Sequence, residues 1–320
     1  MATHIDHRRF EFLRHAQSGV LARRQLLEVG FSSSDIDRLV RRRDWRIVQR
    51  GVLVDHTGPL TRIQREWVAV LAVWPAALCH ESAIPGIPAR EIHVAIGLHR
   101  SLTPLPGTRL HPTAHLDERV DWRAAPPRMR IDHAVVDLMS HRIRGDDIAG
   151  AYAALARACH SATNPERIER ALNRRARVAG RLLISEMLAD LRTGACSVLE
   201  RGYLHRVERA HGLPRADRQL RSRATGAATD QDVRYVKYGL IVELDGRAHH
   251  DSAQAWDNDA RRDLAELAAS RLLTARVTYG LVFNRQCETA AWIGQILQRQ
   301  GWRGQLVRCA NCRLTRLEVR

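Results

Sequence analysis

The stretch DVRYVKYGLIVELDG, residues 232–246, decides how this chain is read. Its alternating, β-rich pattern predicts two strands in a hairpin with the turn near Lys237–Gly239. After the turn, Ile241, Glu243 and Asp245 share one face of the strand, while Val242 and Leu244 take the other. Two carboxylates on a face with apolar neighbours are costly unless a cation or partner neutralises them. Asp232 begins the adjacent strand and can approach the same point. Three acids converging at a sheet edge, with Gly246 relaxing the backbone behind them, suit Mg²⁺ or Mn²⁺, hard cations that need few carboxylates and several waters. A cation so held activates water and stabilises a charged phosphoryl transition state. An inert structural network of the same acids is the alternative.

Working outward, SVLERGYLHRVERAHGLP (197–214) predicts an amphipathic helix ending at Gly212 and Pro214. Residues 255–270 predict a helix, RLLTARVTYGLVF (271–283) a strand and ETAAWIGQILQRQGW (288–302) a closing helix. The motif residues are Glu200 in SVLE, Asp232 in DVRY, and Glu243, Asp245 and Gly246 in VELDG. His250 in RAHH follows, then Asp259, Arg262 and Asp263 in DNDARRD. Over about a hundred residues this series resembles the restriction-endonuclease-like PD-(D/E)XK superfamily, and more closely the actinobacterial homologues of Vsr-type (very short patch repair) endonucleases.

That resemblance implies an α/β nuclease-like domain acting on DNA. Asp232 would be the first metal ligand, completed by Glu243 or Asp245. His250 would be the general base or proton shuttle, its near-neutral pKa suiting either role. Arg262 would clamp phosphate, and Asp259 belongs to the supporting set. Glu200 either orients the metal's water or closes a capping box with Ser197. The sequence departs from the superfamily pattern at Asp245, where lysine is usual. Lys237 is the only lysine in the chain and lies across the expected turn. Vsr-type enzymes are similar in lacking that lysine and relying on histidine.

Beyond the last helix stands Cys309-x-x-Cys312, with Cys287 upstream. Such a set is half a zinc site, a redox pair or free thiols. As a Zn²⁺ site it would take Cys287 as third ligand and a histidine or Cys196 as fourth.

At the other end, residues 22–30 predict a helix ended by Gly30, and one of Ser32, Ser33 or Ser34 caps a second helix near 34–43. Ile36, Leu39 and Val40 form its apolar side, with Arg38, Arg41, Arg42 and Arg43 opposite. WRIVQRGVLV (45–54) predicts two short strands. Helix, turn, basic helix and hairpin make a winged helix-turn-helix. The ordered set LLEVGFSSSDIDRLVRRRDWRIVQRGVLV (26–54) resembles the N-terminal domain of AbiEi-type antitoxins of type IV toxin–antitoxin systems. CHESAIPG (79–86) and IDHAVVDLMSH (131–141) are similar to that family's middle region. The resemblance implies DNA binding and a cognate toxin protein as a candidate partner. A protein-binding winged helix is the alternative.

Between these ends, 60–78 predicts a helix, and EIHVAIGLHR and GTRLHPT predict strands, a small α+β unit. The spacings of His80, His93, His99, His111 and His115, with Glu81, fit no compact ligand pattern. They are read as surface or strand-alternating side chains. Residues 151–192 predict two bridging helices.

Composition agrees with a nucleic-acid partner. The formal charge is +16 and nearly every cation is arginine, which suits bidentate contacts to phosphate and guanine. The longest apolar run, residues 67–79, contains Pro75 and is too short to span a bilayer. The N-terminus lacks a signal peptide's apolar core, so cytoplasm is the expected compartment and no membrane partner is expected. The expected division is a winged helix-turn-helix over 1–58, an AbiEi-like α+β middle region with helical bridge over 59–192, a nuclease-like domain over 193–303 and a cysteine-containing tail over 304–320. The leading functional expectation is metal-dependent hydrolysis of DNA. The alternative is a non-catalytic regulator or antitoxin with a vestigial nuclease fold, and an RNA- or protein-binding module comes third.

Overall fold

A computed structural model describes residues 5–193, 196–222, 229–246, 257, 260–261, 264–265, 267–269, 272–310 and 312. The chain is mixed α/β and packs as two compact units, residues 1–137 with 161–163, and 138–160 with 164–320. No helix among the described residues is long and apolar enough to cross a membrane.

The first unit opens with α1 (His7–Ala16), β1 (Val20–Ala22), α2 (Arg23–Glu28), α3 (Ser33–Arg41), β2 (Arg46–Gln49) and β3 (Val52–Val54). The strands form an antiparallel sheet in the order β1-β3-β2. Ser32 caps α3, accepting from the Asp35 N–H at 3.1 Å, while Asp35 accepts from the Ser32 N–H at 3.0 Å. Ile36 is fully buried against Leu21, Leu26, Trp45 and Leu53, with Leu39 and Val40 packed partly buried beside them. The sequence reading missed α1 and β1, which are short or polar in pattern.

Residues 60–78 do not form one helix. Instead α4 (Arg62–Ala72) stops before Trp74-Pro75, and Ala76–Leu78 become β4. Proline lacks the N–H a helix interior needs and disfavours helical backbone in the residue before it. An apolar run alone does not tell a buried helix from a buried strand. Helix α4 is apolar on two sides because it serves two sheets. Trp67, Val68 and Leu71 pack on β1 and β3, while Ala69 and Val70 pack on β4 and β5 (Ile92–Gly97). The second sheet adds β6 (Thr108–Thr113), β7 (Val120–Asp121) and β8 (Arg128–Met129), with α5 (Leu116–Arg119) before β7, in the order β6-β5-β4-β8-β7.

The chain passes to the second unit within α6 (Ile131–Arg144). Three helices follow where two were expected: α7 (Ile148–Ser161), α8 (Pro165–Asn173) and α9 (Arg181–Thr193). Asn164 caps α8 and Pro165 occupies its first position, so the break is written locally. Helix α10 (Ser197–Gly202) continues through tighter and wider turns to His211, and Gly212 ends it at φ +66°. The sheet then comprises β9 (Asp217–Ser222), β10 (Thr229–Tyr235), β11 (Leu240–Asp245) and β12 (Leu273–Thr278), in the order β12-β11-β10-β9. Strands β9, β10 and β11 form an antiparallel meander, and β12 joins parallel to β11. A parallel neighbour needs a crossover connection, and the described residues between β11 and β12 that fall at 257, 260–261, 264–265 and 267–269 are helical. Beyond Thr278 the expected strand becomes a helical turn, then α11 (Gln286–Arg299). Val233, Tyr235, Val242, Leu244 and Val277 are buried and share the apolar face of this sheet.

Candidate functional site

The opposite face of the C-terminal sheet is polar, and strand register determines its membership. Tyr235 pairs with Leu240, Arg234 with Ile241 and Val233 with Val242. Asp232 directly precedes Val233, the last β10 residue in this register. Its carboxylate, rather than a backbone carbonyl, accepts the Leu244 N–H at 2.8 Å. On the other side Glu243 pairs with Arg276 and Asp245 with Thr278. Arg234, Glu243, Asp245 and Arg276 therefore share one face, since paired residues point the same way.

Asp245 and Gly246 line a cleft of about 360 Å³ with Tyr152, Thr278, Tyr279 and Asn284. It lies at the C-terminal ends of the parallel pair β11 and β12, where open α/β sheets place their ligands. Gly246 is required by close approach: a Cβ there would stand 2.6 Å from Cys196 Sγ. The Tyr152 hydroxyl donates to the Gly246 carbonyl at 2.6 Å and its ring stacks on Tyr279 at 3.9 Å.

Glu200 enters the neighbourhood from α10. The expected capping box with Ser197 does not form, because Ser197 Oγ donates to Asp190, whose carboxylate also accepts the Val198 N–H at 3.0 Å. Glu200 is thereby released to line a second cleft of about 380 Å³ and to accept from Gln219 Nε2 at 2.9 Å. Burial raises its carboxyl above the ordinary range, and Asp232 and Asp190 raise it further. The Cys196 thiol is pushed up to about 11, by burial first and then by Asp232, Asp190 and Glu200. Acids from α9, α10 and β10 thus act on one another electrostatically. His250, Asp259, Arg262 and Asp263 lie outside the described residues. Lys237 sits in the hairpin turn at the Tyr235–Leu240 end, three pairs from Glu243, roughly 10 Å at the usual strand rise.

Set against known proteins, the chain matches no family model and no curated protein sequence.

A second group of ligating side chains forms in the same unit. Cys287 begins α11, and Cys309 and Cys312 close a turn in which the Cys312 N–H donates to the Cys309 carbonyl at 3.0 Å. The Cys287 and Cys309 sulfurs are 3.5 Å apart, both as thiols. A disulfide bond is about 2.05 Å, so these two cysteines are not bridged. The fourth member is His211, with all four ligand atoms within 4.8 Å of one another. Cys196, the other fourth ligand considered, sits against Gly246 instead. His211 is fully buried and burial lowers its pKa, favouring neutral imidazole. Its Nδ1 lies 3.1 Å from the Val207 carbonyl, so that nitrogen carries the proton. Its buried Nε2 has no hydrogen-bond partner among the described residues. A neutral histidine donating from one nitrogen to a carbonyl presents the other as a ligand. The donor set fits a tetrahedral zinc ion. Only long-range packing identifies His211: the chain returns at Val307, whose N–H donates to the His211 carbonyl at 3.0 Å.

In the first unit, Arg38, Arg41, Arg42 and Arg43 are all exposed on or just after α3. Two are paired with acids, Arg38 with Asp35 at 2.7 Å and Arg42 with Asp44 at 3.7 Å.

The histidine reading needs correction. His93 and His111 do stand on strands, as one of the two readings has it, but with His80 they form one group rather than a scatter. His93 on β5 and His111 on β6 lie diagonally on one face, with Nδ1 and Nε2 3.0 Å apart, and the His80 ring stacks on His111 at 3.9 Å. His80 and His93 are buried. Parallel pairing of β5 with β6, which spacing along the chain does not reveal, brings them together. His99 and His115 behave as expected: both are exposed, His115 beside Glu118 at 3.5 Å.

Proposed function

We propose that the chain is a DNA-directed protein, with a winged helix-turn-helix over its first 58 residues and a C-terminal domain that hydrolyses DNA phosphodiesters with Mg²⁺ or Mn²⁺. The observation that carries this reading is that Glu243 and Asp245 share a sheet face, Asp245 lines a cleft, and Asp232 holds the intervening Leu244 N–H with its carboxylate while raising the Glu200 carboxyl. An antiparallel meander joined by one parallel strand is in keeping with the restriction-endonuclease-like resemblance. At the N-terminus, the element order and the β1-β3-β2 sheet support the winged-helix reading.

The oxygen donors fit a hard cation. Mutually repelling carboxylates are stabilised when positive charge stands between them. Bound there, the cation supplies charge neutralisation and an activated water. Asp232, Glu243 and Asp245 would hold it, and Glu200, fixed by Gln219, would orient water. Arg234 and Arg276, flanking Glu243 on the same face, would bring positive charge to the phosphate that lysine brings elsewhere. By the resemblance, His250 would move the proton and Arg262 would clamp the phosphate, with Asp259 in the supporting set. Zinc at Cys287, Cys309, Cys312 and His211 would tie the tail to α11.

Incubating supercoiled DNA with the full chain and Mg²⁺ or Mn²⁺ tests this reading: nicked or linear product is expected, and none without the cation. One observation favours a second reading, the AbiEi-type regulator with a vestigial nuclease fold and a cognate toxin as partner. Asp245 replaces the usual lysine, and Lys237 lies at the far end of the hairpin. Sequence-selective DNA binding with no cleavage under either cation would establish that alternative.

A further inference from the structure

The histidine cluster of the first unit takes no part in the proposed hydrolysis, yet its chemistry is that of a metal site. We propose that Cys79, His80 and His111 bind a zinc ion, with His93 and Glu81 positioning His111.

Three observations converge. Cys79, His80 and His111 each offer one ligand atom, and these atoms lie within 4.8 Å of one another. Zinc bonds of about 2.0–2.3 Å are reached from that spread by small side-chain rotations. Next, the ligands are held by a rigid frame. Cys79 follows β4 and its N–H donates to the His93 carbonyl at 2.9 Å, while His111 sits on β6. His80 has φ +48°, a left-handed conformation that is strained for a residue with a side chain. Strain of this kind persists where the surroundings over-determine it, and it gathers at functional sites. Here it accompanies the stacking of His80 on His111 and leaves His80 Nδ1 3.2 Å from Cys79 Sγ. Finally, an orienting pair stands behind the ligands. His93 Nδ1 lies 3.0 Å from His111 Nε2, and His93 Nε2 lies 3.7 Å from Glu81 Oε2. A carboxylate–imidazole pair bonded to a ligating histidine fixes its ring and tautomer.

Ligand type selects the ion. One thiolate and two imidazoles suit zinc and are poorly matched to Mg²⁺ or Ca²⁺. Three protein ligands, rather than four, leave a position for water or one atom of a small anion. This distinguishes the cluster from the four-ligand set at Cys287, Cys309, Cys312 and His211.

Elemental analysis of the full chain, purified with zinc supplied, tests the assignment. Two zinc ions per chain are expected. Cys309→Ser with Cys312→Ser should leave one, held by the first unit, and His111→Gln should leave one, held by the tail. Adding His111→Gln to the double variant should leave none. His111 is only half-buried, so its conservative replacement is the variant of choice should Cys79→Ser fail to fold. Cobalt substitution gives a second readout in the Cys309→Ser, Cys312→Ser chain: a thiolate charge-transfer band that Cys79→Ser removes. A zinc content that His111→Gln leaves unchanged, in the unaltered chain or in the Cys309→Ser, Cys312→Ser chain, overturns the proposal. Copper in place of zinc, lost on the same substitutions, overturns zinc as the occupant.

Discussion

The two larger sheets each interrupt an apolar pattern with side chains of metal-ligating type, and they do so differently. On the C-terminal sheet the groups are carboxylates, of which Asp245 lines an open cleft and Glu243 pairs with Arg276. On the N-terminal sheet they are a thiol and imidazoles, with Cys79, His80 and His93 between 0 and 8% exposed. Hard oxygen donors at an open site suit a cation that keeps its water and exchanges readily. Nitrogen and sulfur donors in a buried site suit one that is held tightly by its protein ligands and stays. The tail cluster belongs with the second kind. Loss of the exchangeable cation should silence chemistry and spare the fold, whereas loss of the retained one should damage the fold.

The largest expected effect is therefore at the tail. Structural zinc in small modules contributes on the order of 10 kcal/mol of apparent binding free energy, which is folding free energy. Cys312→Ser should lose one zinc per chain and lower the thermal midpoint of the C-terminal unit by many degrees, measured by elemental analysis and calorimetry. An unchanged midpoint would place the tail with exposed, energetically idle segments.

A smaller effect concerns Glu200. Its folded pKa is raised by burial and by Asp232, so the folded state binds its proton more tightly than the unfolded chain does. In Mg²⁺-free buffer, this part of the stability is present below the unfolded carboxyl range and is lost as pH rises through the raised folded value. Glu200→Gln should flatten that segment of the stability curve in denaturant titrations at several pH values. An unaltered slope would separate Glu200 from the acid group.

The smallest effect per residue is at α3. Replacing Arg38, Arg41, Arg42 or Arg43 by alanine should reduce the log–log salt slope of DNA binding by about 0.9 for each phosphate that the arginine neutralises. The ion pairs of Arg38 and Arg42 should make Arg41 and Arg43 the more sensitive positions. Equal slopes in the unaltered and fourfold alanine chains would assign DNA affinity elsewhere.

What could be read from the sequence follows the range of the contacts involved. Glu243 and Asp245 were legible as a shared face because a period of two operates within one strand, and the hairpin turn at 236–239 fixes register locally, so that Asp232 lies next to β11 and bonds the Leu244 N–H. Ser32 and Gly30 likewise marked helix ends through nearest-neighbour chemistry. His211 was not legible, since its ligating neighbours come from α11 and the returning tail. The same holds for His80, His93 and His111, whose meeting depends on β5 pairing parallel with β6. The α4–β4 boundary failed for another reason: residues 67–79 are apolar throughout, and only Pro75 hints that the backbone changes type.

The central claim is tested most directly by DNA cleavage with the unaltered chain and with Asp232→Asn, at matched DNA affinity. Cation-dependent cleavage by the first and none by the second is expected, with zinc content and thermal midpoint unchanged. Cleavage that persists in Asp232→Asn, or that proceeds without a divalent cation, would contradict it.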